Sequence, residues 1–369
     1  MLRMRSSTTK VGLIGAGNIG LTHLISLSTL KEVGLLDVDL VAICDTNKES
    51  LDRAAETFSI AAPYDDYRDL LSNKEVDVVY ICTPTNTHQT MVSDAAKRKK
   101  YIFCEKPLAH KANEAAEMLE VVRRARVPSA VGLVLRYDDF LLYSQKLVRE
   151  SDFGTPMLAY IRDDQHIPVD FMYYSSWRGD KSVAGGGTLI EHSIHDLDIL
   201  RWFFGDIVRV YARTRFVSGK QVEDLASLVI THKSGTVSSL NSIWHSVERP
   251  NERLIEFFFQ KGYIGIHLGS GERYLEYHLS GQEPRHVSKT EAREVLLDEL
   301  GIDRGEVSKD AIEAVTSLGN ERYSALSYSI IRAMQNGKEP HPGFDDAYEA
   351  HRAVDAAYIS AGSNLATEL

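Results

Sequence analysis

The stretch Val11-Gly12-Leu13-Ile14-Gly15-Ala16-Gly17-Asn18-Ile19-Gly20 decides the fold. It reads as a strand that runs into a glycine-rich turn and from there into a helix. A dinucleotide-binding turn needs glycine three times: for the tight turn, for close approach of the pyrophosphate, and for packing of the helix on the strand. The helix then presents its first amides to the phosphates. Gly15, Gly17, Asn18, Ile19 and Gly20 are therefore the candidate phosphate cradle. Alone the pattern is weak, since any tight strand–helix turn favours glycine.

The next strand gives it weight. Asp39–Cys44 ends at Asp45, somewhat beyond the ~20 residues usual for the ribose-binding acid. The loop Gly34–Asp37 absorbs the excess. An aspartate there accepts hydrogen bonds from the ribose hydroxyls of NAD and repels the added phosphate of NADP. Thr46 and Asn47 come next, and the nearest cation is Lys48. NAD is the expected cofactor, with NADP the second choice. The competing reading of Asp45 is a cap on the helix after it.

Further out, strands alternate with helical segments as far as residue 135. The strands are Val11–Gly15, Asp39–Cys44, Val76–Cys82, Tyr101–Cys104 and Ser129–Leu133. Between them lie helices over Ile19–Lys31, Lys48–Phe58, Thr87–Lys99 and Lys111–Arg124. Such alternation gives βαβ units and a parallel sheet. Val76–Cys82 is apolar almost throughout, as when helices cover both faces.

The pattern then changes. A helix over Phe140–Glu150 is followed by strands Met157–Arg162, Val208–Phe216, Ala226–His232, Thr236–Trp244, Leu254–Gln260 and Tyr263–Leu268. Short connections, Lys233-Ser234-Gly235 and Lys261-Gly262, suggest antiparallel hairpins. One helix over Leu189–Phe204 interrupts the series, the segment Gln282–Ser308 reads as a polar surface excursion, mobile or helical, and helices over Glu321–Gln335 and Asp345–Ser360 follow. The expected architecture is α/β plus α+β. A doubly wound Rossmann domain spans 1–135, and a domain on a largely antiparallel open sheet spans 136–369. The helices of 321–360 have the option of packing back on the first.

Bulk properties exclude several classes. The 369 residues carry a net charge of −10, and the pI is about 5.7. Such a chain repels nucleic-acid backbones and anionic lipid. No apolar run reaches the ~18 residues of a membrane span. The leader Met1–Lys10 is polar, with Arg3 and Arg5 separated by Met4, so the expected compartment is the cytoplasm. Cys44, Cys82 and Cys104 each end a short apolar run, the position of a small buried thiol.

Two more turns end parallel strands: Cys82-Thr83-Pro84-Thr85-Asn86-Thr87-His88 and Glu105-Lys106-Pro107. In isolation the first reads as a helix start and Lys106 as a surface lysine. Together with the glycine turn and the later segment Gly185-Gly186-Gly187-Thr188-Leu189-Ile190-Glu191-His192-Ser193-Ile194-His195-Asp196, they resemble the glucose–fructose oxidoreductase/inositol dehydrogenase (Gfo/Idh/MocA) family. The resemblance extends to the tail, where Gly337, Pro340 and Pro342 stand between two helices.

The resemblance implies an NAD(P)-dependent oxidoreductase that moves hydride between nicotinamide and a hydroxyl-bearing carbon of a sugar, polyol or sugar derivative. It makes Lys106 the catalytic lysine, hydrogen-bonding the reacting oxygen. Glu105 and Pro107 shape its turn, and Thr83, Pro84, Asn86 and His88 line the cofactor side, with a packing role for His88 equally open. Relatives carry an aspartate and a histidine four apart where this chain has Glu191 and His195. Spacing of four puts both side chains on one helical face, so they can meet one substrate together. His195 is then the base for the hydroxyl proton, with a buried structural histidine as the plain alternative. Glu for Asp is a departure that bears on which substrate is used. Arg136, Asp163, Asp164, Gln165, His166, Trp177, Arg178, Trp244 and His245 are softer substrate-side candidates. Glu191, His192 and His195 lack the spacing of a zinc helix, so no metal is expected.

Two other functions compete: a redox-neutral enzyme with tightly held NAD, and a non-catalytic dinucleotide sensor. Exchange of added NAD separates the first. The presence of both Lys106 and His195 speaks against the second, which needs no proton-transfer pair. Related proteins assemble through the open face of the second sheet, so a homodimer or homotetramer is expected, with a small-molecule substrate as the other partner.

Overall fold

The computed structural model describes residues 8–169, 175–317 and 319–369. Most of the leader Met1–Lys10, including Arg3 and Arg5, lies outside them. The chain divides into two compact units. The first takes the described residues up to Ala109, then Asn113–Tyr137 and Leu297–Tyr348; the second takes His110–Ala112, Asp138–Leu296 and Glu349–Leu369.

The first unit holds a six-stranded sheet of β1 (Thr9–Ile14), β2 (Val38–Cys44), β3 (Ala62–Tyr64), β4 (Val78–Ile81), β5 (Tyr101–Cys104) and β6 (Ser129–Val131). The order is β3-β2-β1-β4-β5-β6, and every pairing is parallel. The chain reverses direction across the sheet between β1 and β4, the point at which open α/β sheets take ligands. Strands β4 and β5 are buried at every residue, which is why their sequences do not alternate. The helix Glu321–Gln335 belongs to this unit and packs on the helix Asn18–Glu32. Gln335 Nε2 donates to Thr9 Oγ1 at 2.9 Å. Strand β3 and the helix Tyr67–Ser72 are too short to show periodicity, and the sequence reading has neither.

The second unit holds nine strands: β7 (Pro156–His166), β8 (Ile207–Arg215), β9 (Leu225–His232), β10 (Val237–His245), β11 (Glu252–Phe259), β12 (Gly262–Gly269), β13 (Arg273–Leu279), β14 (Arg285–Val287) and β15 (Thr367–Glu368). Their order is β14-β13-β12-β11-β7-β10-β9-β8-β15. All pairings are antiparallel except β7 with β10. Alternation sorts the two faces: Ile161, Leu228, Leu240, Ile255, Ile266 and Leu275 are buried, whereas Leu158, Val229, Val237 and Phe258 are exposed. The expected polar excursion over 282–308 contains β14 and a helix, Lys289–Leu300. Its few apolar residues are well used, with Val287, Ala292 and Leu296 buried. Among the described residues, no helix is long and apolar enough to cross a membrane.

Candidate active site

The three glycines of the opening turn stand in three different settings. Gly15 has φ +100°, and a Cβ there would lie 2.6 Å from the Cys82 carbonyl oxygen. A Cβ at Gly20 would collide with the Gly15 carbonyl, while one at Gly17 would meet nothing within 4 Å. Gly17 is also the N-cap of the helix Asn18–Glu32, whose first turn contains no acid. The turn is thus open at Gly17 and closed at Gly15 and Gly20, a cradle suited to an anionic pyrophosphate.

Asp45 follows β2 directly. Its Oδ2 accepts the Ala16 N–H at 2.6 Å, and its Oδ1 accepts the Asn47 N–H at 2.7 Å. Capping of the next helix falls to Asn47, which accepts the Ser50 N–H at 2.9 Å. Each Asp45 oxygen keeps a second lone pair, so the carboxylate can also accept from ribose hydroxyls. These residues fit a dinucleotide.

The turns after β4 and β5 are tied together from inside. The ring nitrogens of His88 lie 2.8 Å from the Thr83 carbonyl and 3.0 Å from the Pro107 carbonyl. Burial lowers the pKa of this histidine, against the pull of those two carbonyls. His88 is fully buried, and its bonds to both turns give it a bracing role between them. Thr83 Oγ1 lies 2.7 Å from Thr87 Oγ1, which donates to the Pro84 carbonyl; Asn86 is exposed at the tip. Lys106 is half-buried, and its peptide bond to Pro107 is cis. Its own N–H donates to Glu105 Oε2 at 3.0 Å. Arg136, in a 3-10 turn after β6, pairs with Asp346 at 3.0 Å. All three cysteines are buried and free, and burial raises each thiol pKa, that of Cys44 to about 12.

In the second unit the expected single helix over Leu189–Phe204 is two, Thr188–Glu191 and Ile194–Phe204. The break falls at His192-Ser193. The Ser193 N–H reaches back to the Thr188 carbonyl, and its hydroxyl turns to Asp163 at 3.2 Å and Ser242 at 2.7 Å. Glu191 and His195 therefore lie on different helices, and the one-face inference from their spacing does not apply. The Glu191 carboxylate is buried and receives Arg178 Nε at 3.1 Å. The Arg178 guanidinium also lies over the Trp177 ring, 4.7 Å from its centroid. His195 is almost wholly buried.

Behind these helices is a charged cluster that the sequence reading misses. Arg253 binds Asp196 at 2.7 Å and Asp163 at 2.8 Å, and His192 reaches Asp163 at 3.0 Å. Arg253 comes from β11, far away in sequence, which no local pattern reveals. Burial works against ionisation of both acids. Arg253 and His192 together hold Asp163 below the usual carboxylate range. Asp196, with Asp163 beside it, is pushed up to about 8. Glu223 is equally unannounced. Its carboxylate accepts the N–H groups of Gly187 and Leu189 and the Tyr358 hydroxyl, and so holds the start of the glycine-run helix. Asp164 pairs with Arg162 at 3.0 Å and lies 3.4 Å from His245. Gln165 precedes His166 at the end of β7, and His166 is registered opposite His245. Among the described residues, no group of His, Cys, Asp or Glu is arranged to hold a metal ion.

Residues 9–133 match the model of an oxidoreductase family with an NAD-binding Rossmann fold, and residues 141–265 match the GFO/IDH/MocA C-terminal domain. The chain is 30% identical to myo-inositol 2-dehydrogenase of Thermotoga maritima, over 69% of this chain and 74% of that one. It is 27% identical to D-apiose dehydrogenase of Paraburkholderia graminis, over 98% and 89%. In fold it is similar to levoglucosan dehydrogenase solved with NADH, with a TM-score of 0.84 and 22% identity over 98% of this chain and 99% of that one.

Proposed function

The chain belongs to the Gfo/Idh/MocA family of NAD-binding oxidoreductases, and from that premise we propose that it is a dehydrogenase of the CH–OH groups of a sugar or polyol. The observation that carries this reading is the Gly15–Gly20 cradle with Asp45 beside it, followed after β5 by Lys106 on a braced turn. Relatives named for inositol, apiose and levoglucosan support the substrate class.

In this reading Gly15, Gly17, Asn18, Ile19 and Gly20 receive the pyrophosphate and Asp45 the adenosine ribose, while Thr83, Pro84 and Asn86 line the cofactor side. NAD, when bound, supplies the hydride acceptor. Lys106 hydrogen-bonds the reacting oxygen and stabilises its developing negative charge. His195 takes the hydroxyl proton during oxidation and returns it during reduction. Glu191, oriented by Arg178, holds a substrate hydroxyl. His88 and Glu105 act from within, holding the turns that carry the lining residues.

We propose also that the second-unit sheet mediates self-association. Val237, Leu158 and Phe258 lie in register on three neighbouring strands, and all are exposed on one face. An apolar row of this kind is a common mark of a buried interface. Light scattering should give a dimer or tetramer, and a monomer would refute it.

The test of function is a panel of inositols, aldoses, anhydrosugars and sugar acids, scored by NADH absorbance with wild type and Lys106→Met. Turnover should appear with at least one member and fall by ~10²–10⁴ in the variant. Near-normal turnover in Lys106→Met would make the lysine a surface residue.

A further inference from the structure

We propose that His23 and Glu105 form a buried positioning pair that holds the Lys106 backbone in its working place. The inference rests on the reading of Lys106 as a catalytic residue. His23 lies on the dinucleotide helix Asn18–Glu32 and is 0% exposed, and Glu105 is 5% exposed. His23 Nε2 lies 2.8 Å from Glu105 Oε1. The other oxygen, Oε2, accepts the Lys106 N–H at 3.0 Å. A single carboxylate thus links the helix that starts at the phosphate cradle to the backbone of the lysine.

The surroundings allow this carboxylate little freedom. A Cβ at Gly132 would lie 2.6 Å from both Glu105 oxygens, so the absent side chain leaves the room the acid occupies. The imidazole is walled by rings, with Phe103, Tyr80 and Tyr323 at centroid distances of 4.8, 5.4 and 5.6 Å. Among the described residues His23 Nδ1 has no hydrogen-bond partner. The ring therefore serves Glu105 through Nε2, as an N–H donor to an acceptor-only carboxylate. A buried charge without its donor is costly. Loss of the His23 N–H should therefore displace the Glu105 carboxylate and release Lys106. Geometry set by such a supporting layer governs how well the reacting groups are placed.

His23→Asn puts an amide at the Nδ1 position and removes the donor, whereas His23→Gln keeps an N–H near Nε2. Hydrogen exchange on the full chain without added cofactor reads the Lys106 amide directly. Pro107 contributes no amide to the same peptide. Exchange at Lys106 should quicken ~10-fold or more in His23→Asn, while β1 and β4 keep wild-type protection. With the best panel substrate, kcat should drop by ~10–100-fold, the scale of a small misplacement. The Kd for NAD+ by calorimetry should stay within about threefold of wild type. His23→Gln should restore much of both losses. In a Lys106→Met background, His23→Asn should cost no further kcat, because the pair acts through the lysine. Should His23→Asn fail to fold, Glu105→Gln, which keeps an acceptor but loses the charge, must show the same local exchange and the same non-additivity. Unchanged Lys106 protection and kcat in these variants, or equal added loss in the Lys106→Met background, overturns the pair. If Lys106→Met itself retains turnover, the reading of the lysine fails instead.

Discussion

Asp45 Oδ2 accepts the backbone N–H of Ala16 at 2.6 Å, joining the end of β2 to the middle of the glycine turn. The residue proposed to bind the cofactor ribose is thus also a strut of the glycine turn. Hydrogen bonds to a charged group are worth about 1.5–3 kcal/mol. Asp45→Ala should therefore raise the KM for NAD+ by ~10–100-fold and narrow the preference over NADP+. Asp45→Asn keeps an acceptor for Ala16 and should cost less. Steady-state kinetics with both cofactors checks this, and equal wild-type efficiency with NADP+ would contradict it.

Glu191 is held by Arg178 through Nε. Arg178→Gln should raise substrate KM by ~10-fold or more, on the same scale for a charged hydrogen bond, with little change in the KM for NAD+. Arg178→Lys should not rescue it, since an ammonium cannot both stack on Trp177 and direct one N–H at the carboxylate. Glu191→Asp shortens the reach by a methylene and should shift relative rates across the polyol panel. Unchanged substrate KM in Arg178→Gln would leave Glu191 without a substrate role.

The Asp163–Arg253–Asp196 cluster sets a pH dependence of stability. Asp196 is pushed up to about 8 in the folded chain, against ~3.9 for a free aspartate. Between those values the folded chain binds a proton that the unfolded chain has lost, so this contribution is complete below the lower value. It is lost as pH rises through the upper one. The two acids share one guanidinium and titrate as a pair. Melting temperatures should fall from pH 6 to 9 in wild type and flatten in Asp196→Asn. Parallel wild-type and variant profiles would contradict this.

How much of this was legible in the sequence depended on range. Gly15, with φ +100°, and Gly20, against the Gly15 carbonyl, meet local backbone demands, and the turn they form follows the pattern that announces it. Fully buried strands such as β4 and β5 were visible as apolar runs. The break at His192-Ser193 was not, because the Ser193 hydroxyl turns to Asp163 and Ser242 on β7 and β10, both remote in sequence. Glu223 and Arg253 were silent for the same reason: each acts on a segment remote in sequence. His23 looked like one more residue of the helix after the glycine turn, and only the folded chain pairs it with Glu105.

As the proposed base, His195 must be neutral to accept the hydroxyl proton. Catalytic efficiency for oxidation should therefore rise with pH through one ionisation and then level, while reduction shows the opposite trend. His195→Ala should remove that ionisation along with most of the rate. A variant with the wild-type rate and profile would exclude this histidine as the base.

The most direct measurement follows the hydride itself. A panel substrate carrying deuterium on its carbinol carbon is incubated with NAD+, and the cofactor is recovered for mass spectrometry. A hydride-transferring dehydrogenase yields singly deuterated NADH in step with the ketone or lactone product, and the yield collapses in Lys106→Met. Unlabelled cofactor, or a product formed with no net NADH, would contradict the assignment and point to redox-neutral chemistry on a tightly held dinucleotide.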